Sequence, residues 1–140
     1  MRLVLFGSAL LFAVLTLIAN DRPAANQAQF PPNYIPSGQL MYKNYCAACH
    51  GADAKGNGPT ASTLKTPPPD LTTLAKRHMG KFPLDYVSSV LRFGPGTSAH
   101  GSSDMPTWGP IFYIIDKNNE EAVQRRIYNL CNYLASLQEK

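Results

Sequence analysis

The sequence predicts an all-α protein, three or four helices joined by long loops, and three observations carry that expectation. Val123, Ile127, Leu130, Leu134 and Leu137 recur at spacings of four, three, four and three, the period of one helix face. No segment shows a strand signal of comparable strength with a partner to pair with. The 12 prolines and 10 glycines fall mostly between Gly51 and Pro110, where they defeat regular structure over long stretches.

Taken in order, the elements begin with LVLFGSALLFAVLTLIA, Leu3 to Ala19, an uncharged apolar run behind Arg2 and ahead of Asn20 and Asp21. Its length falls between a signal-peptide h-region of about 7–15 residues and a spanning helix of about 17–25. Residues 1–19 are therefore expected to be a signal peptide or a membrane anchor, and the rest of the chain to be exported in either case. Residues 20–36, NDRPAANQAQFPPNYIP, are polar, proline-rich and aperiodic, as a semi-rigid linker would be. The folded domain is expected over 37–140.

Within that domain, Ser37 is placed to cap a short helix carrying Gly38, Leu40, Met41, Tyr42 and Tyr45, which runs into the motif CAACH at 46–50. GADAKGNGPTASTLKTPPPDL after it reads as a long wrapped loop, which in so small a domain needs a function or something to pack on. Pro83 to Phe93 predicts the next helix, with Leu84, Val87, Val90 and Leu91 on one side and Gly94-Pro95-Gly96 as its stop. Ile111 to Ile115 is an apolar run that could pass for a strand but lacks a partner. Asn119, Glu120 and Glu121 start the final and best helix. These helices make too little core for so much loop, which suggests that a bound prosthetic group completes the interior.

The formal charge of +4 is only mildly basic. Lys76, Arg77 and Lys81 cluster, as do Arg125 and Arg126, but no basic run is interleaved with aromatics, so a nucleic-acid partner is not expected. An acidic protein or an anionic lipid surface fits that charge.

Three chemistries compete for CAACH. A thiol–disulfide pair belongs in a βαβ context, which is absent, and does not need the histidine. Zinc needs four ligands, and the remaining thiol, Cys131, lies inside the last helix without a paired ligand. Covalent haem uses every position. At a helix end the thiols of Cys46 and Cys49, three apart, lie on one side where each can add to a vinyl group, and His50 turns its imidazole to the iron.

With GQLMYKNYCAACHG at the start, GNGP at 56–59, PPPDLT at 67–72, DMPTWG at 104–109 and the closing RIYNLCNYLASL, the chain from Gly38 to Leu137 resembles the class I c-type cytochromes of bacteria. The resemblance implies a cytochrome c fold wrapped around one covalently bound haem c and its iron. It implies that Met105, ahead of Pro106, is the sixth iron ligand, with Met79 and Met41 as rivals. It implies that Pro59 offers its carbonyl to the Nδ1–H of His50. Trp108 and Arg92 become candidate donors to the haem propionates, and Gly38, Tyr42 and Tyr133 the contact between first and last helices. His78 and His100 read as surface residues and Cys131 as a buried, unpaired thiol. The long, small-residue-rich loop from Gly94 to Asp104 departs from the pattern.

The function implied is single-electron transfer by a mono-haem cytochrome in a periplasmic or membrane-surface respiratory chain, between a donor and an acceptor redox protein. With both axial positions taken, no small-molecule substrate and no enzymatic activity are expected. The alternatives are a haem subunit permanently docked in a larger membrane oxidoreductase, with Tyr113 to Lys117 serving assembly, or a haem sensor whose methionine dissociates.

Overall fold

Ser37 caps the first helix as its position in the sequence predicts: its side chain accepts from the Leu40 amide at 3.2 Å and opens α1, Gly38–Tyr45. The structure, a computed structural model, describes Pro31 and residues 34–95 and 104–139, all within one unit, Pro31–Lys140. The expectations for residues 1–19 and for most of 20–36 therefore lie outside the described residues, as does the one for His100. No helix among the described residues is long and apolar enough to cross a membrane.

Cys46 ends α1 and, after a local break in the backbone, leads into the single turn α2, Ala47–His50. A short 3-10 turn follows at Ala61–Thr63, then α3, Leu74–Arg77, and α4, Leu84–Phe93. The chain closes with α5, Trp108–Ile115, and α6, Glu120–Ser136, where the Asn119 side chain accepts from the Ala122 amide. The described residues thus form six α-helices and no strand. The four of eight residues or more make the frame.

The apolar run at Ile111–Ile115 is helical. Trp108 and Phe112, four apart, are both buried on one face of α5, and Pro110 sits in the first turn, where its missing N–H breaks no helical bond. Lys117 and Asn118 turn left-handed behind it, with φ 53° and 67°. Tyr113, Ile114 and Ile115 remain on the exposed side.

α1 crosses α6 at Gly38, where a Cβ would stand 1.9 Å from the Asn129 carbonyl oxygen and 2.8 Å from Tyr133 Cβ. Only glycine permits that approach, and it brings the Tyr42 and Tyr133 rings to 5.4 Å. Met41, Tyr42, Phe112, Val123, Leu130 and Cys131 are almost wholly buried around the crossing. Each large apolar side chain so enclosed contributes about 1.5–3 kcal/mol. Among them lies one ion pair: Arg126 donates to both carboxylate oxygens of Asp116, at 2.7 and 2.6 Å, with Met41 Sδ at 3.8 Å and the Phe112 ring at 5.6 Å. The two hydrogen bonds and the ring face compensate the desolvation that such a pair suffers, and they tie the end of α5 to α6.

Residues 51–73 fold over the CAACH turn by backbone bonding. Gly56 N donates to His50 O at 2.8 Å, Gly58 N to Cys49 O at 3.1 Å and Thr60 N to Ala48 O at 3.0 Å, while Leu71 N returns to Ala54 O at 2.8 Å. A Cβ on Gly58 would be 2.3 Å from Ala48 O, so the loop can lie this close only with glycine there.

Candidate haem site

Burial and backbone position, rather than surface charge, shape the site. The break at Cys46 turns the chain so that Cys46, Cys49 and His50 all face one cavity of about 700 Å³, inside the ~300–1,000 Å³ range of cofactor pockets. Pro67, Pro68, Pro69 and Leu71 of the loop form one part of its wall, Leu74 of α3 and Val87, Val90 and Leu91 of α4 another. Met105 and Trp108 contribute the segment leading into α5, and Leu130 and Leu134 of α6 the floor. Tyr42 lines it as well, its hydroxyl donating to Gly51 O at 2.7 Å, and burial ahead of the nearby Cys46 drives the phenol above its ordinary range.

The donor set is consistent with this enclosure. Burial, with Cys49 adding to it, pushes the Cys46 thiol up to about 12. Cys49 Sγ lies 3.2 Å from Thr60 Oγ1, whose proton goes to Ala48 O at 2.7 Å, so the thiol is the donor to the hydroxyl. Burial pushes His50 below the ordinary histidine value, opposed by the Pro69 backbone, so the ring is neutral and free to ligate. His50 Nδ1 is buried without a hydrogen-bond partner. Pro69 lines the same cavity, and its backbone is the acceptor near the ring that opposes the effect of burial.

That orphaned nitrogen is the test of fit. Buried polar atoms without partners are rare and ask for an explanation. A ring drawn toward a metal from its Nε2 side, with Nδ1–H settling on Pro69, supplies one. An apolar slot with two thiols, an imidazole and a thioether on its wall suits a flat apolar macrocycle holding iron. Among the described residues no group of three or more histidine, cysteine or carboxylate side chains is placed to hold a metal by itself.

Five of the residues expected from the sequence, Cys46, Cys49, His50, Met105 and Trp108, share this wall. Pro59 does not: it is exposed, and the loop instead swings Pro69 to the ring. Of the rival methionines, Met79 is 98% exposed and Met41 is packed under Arg126, and neither lines the cavity. Arg92 is also absent from the wall, because α4 runs on to Phe93 and sends its guanidinium to Glu120. Arg77 takes the place at the rim, donating to Asp70 O at 2.7 Å, and His78 joins the wall with its ring 5.8 Å from that of Tyr86. The signal that could have found Arg77 is its position one turn after PPPDLT, at the end of α3. Cys131 is fully buried and free, and burial pushes its thiol up to about 11.

A family model described as Cytochrome c matches residues 35–138. Among curated proteins nothing matches, and among solved structures nothing matches either.

Proposed function

Because the chain belongs to the cytochrome c family, binds haem c covalently and so serves haem-based electron transfer, we propose that it is a mono-haem carrier working on the exported side of a membrane. The observation that carries this reading is the gathering of Cys46, Cys49, His50 and Met105 around one cavity. Cys46 and Cys49 hold the haem through thioethers, and His50 and Met105 are the iron ligands. Bound there, haem exchanges one electron between ferric and ferrous states.

The chain's own residues do the rest. The leucines and valines of α3, α4 and α6 exclude water from the slot. Met105, a soft neutral thioether, favours the ferrous state relative to a second histidine. Pro69 orients His50 through Nδ1. Trp108 and Arg77 on the wall are the donors available to the propionates. Were His50 and Met105 both to hold the iron, no coordination position would be open to a substrate, and the partners are redox proteins that give and take single electrons.

Intact mass after denaturation tests the attachment. The expected result is the polypeptide plus one haem, lost in the double variant Cys46→Ala, Cys49→Ala, and extraction of intact haem by acid acetone would refute it. The oxidised protein should show the weak near-infrared sulfur-to-iron band of an axial methionine. Met105→His should abolish that band and lower the potential. N-terminal sequencing of the haem-bearing species distinguishes a soluble shuttle, starting near Asn20, from a tethered carrier that keeps Met1.

A further inference from the structure

The wall that carries Pro69 is held from behind by the last described residues. Gln138 accepts from the Ala75 amide at 2.8 Å and donates through Nε2 to Leu71 O at 2.8 Å and to Leu134 O at 2.7 Å. Both amide hydrogens and the oxygen are engaged, and a flipped amide would lose all three bonds, so the orientation is determined by its partners. Glu139 adds its backbone N–H to Thr72 O at 2.9 Å, and its carboxylate lies 3.6 Å from Lys55 Nζ. A single residue thus joins α6, α3 and the segment after Pro69, although Gln138 itself lies outside the cavity.

We infer that Gln138 is a positioning residue for the iron ligand: it sets how firmly the Pro69 backbone meets His50 Nδ1. Leu71 is two residues from Pro69 and is fixed on one side by Ala54, through its N–H, and on the other by Gln138, through its carbonyl. Losing the second tie lets the segment carrying Pro69 move away from the ring. An imidazole whose Nδ1–H is firmly accepted is the more basic ligand and favours ferric iron. Loosening that contact therefore raises the reduction potential. This inference rests on the reading of His50 as ligand and adds a control point 88 positions later in the chain.

The test uses the full-length holoprotein and Gln138→Met, which keeps the shape and removes the three bonds. The expected results are a higher potential and exchange of the His50 Nδ1 proton faster by about tenfold, the size of one net hydrogen bond. Asn119→Ala is the control, since removing that cap costs a comparable ~1 kcal/mol of stability far from Pro69 and should move neither readout. Gln138→Glu keeps the acceptor for Ala75 N but not the donors, so it should also speed the exchange and serves if the methionine variant does not load. Unchanged potential and exchange in both Gln138 variants, or an equal change in Asn119→Ala, would overturn the inference. A wild-type spectrum without histidine ligation would overturn it together with the reading of the site.

Discussion

The crossing of α1 with α6 and the loop over residues 51–73 are held by different physics. At the crossing, Met41, Tyr42, Phe112, Leu130 and Cys131 are at most 2% exposed, so burial of large side chains holds it. In the loop the buried positions are Gly51, Ala54, Gly58 and Thr72, and what holds it is a series of backbone hydrogen bonds onto the CAACH turn. Each such bond nets about 0.5–1.5 kcal/mol, against about 1–2 kcal/mol of backbone entropy per ordered residue. The frame can stand on its own core, whereas the loop gains its order from whatever fills the cavity it encloses.

Removing the cofactor tests this contrast most severely. In the Cys46→Ala, Cys49→Ala double variant, hydrogen exchange should show residues 51–73 losing nearly all protection while α6 keeps a measurable part. Equal protection of loop and α6 would break the contrast. Asp116→Ala strands a buried guanidinium in the frame and should cost about 3–5 kcal/mol by chemical denaturation, with little effect on a loop already held by haem. Gly38→Ala forces α1 away from Asn129 and should cost about 1–3 kcal/mol. A neutral result there would mean that the crossing is looser than its 1.9 Å clearance implies.

The smallest effect belongs to the loop. Hydrogen bonds from Thr72 hold the Asp70 carboxylate below its ordinary value of 3.8. The unfolded chain therefore binds more protons between the two values, so stability is complete above about pH 4 and declines as the pH falls through the folded value. Because the group is largely solvated, the loss should be no more than a few tenths of a kcal/mol. Denaturation midpoints of wild type and Asp70→Asn, compared at neutral and acid pH, should converge at low pH.

Legibility in the sequence follows the same division. The frame announces itself in local signals: Ser37 and Asn119 as caps, the four-three period of α6, Gly94 as the stop of α4. CAACH and Met105-Pro106 are as local, and Cys46, Cys49, His50 and Met105 share one cavity wall. α5 was not, because WGPIFYII is apolar on every side and so has no period to separate helix from strand. Choosing Pro69 over Pro59 needs the path of the loop, which Leu71 and Ala54 decide by a contact between distant positions. Arg92 and Arg77 changed places for a similar reason, since the direction of a long side chain depends on where its helix ends and on which carboxylate, here Glu120, is near.

Cys131 bears on how the molecule is assembled. A chain that meets a two-vinyl porphyrin carries three thiols, and the third could form a wrong thioether or an unwanted disulfide with either of the others. The structure resolves this by position: Cys131 has no accessible surface and lines no part of the cavity, whereas Cys46 and Cys49 both face it. Once α6 is docked on α1, only the CAACH thiols are open to a porphyrin in that cavity.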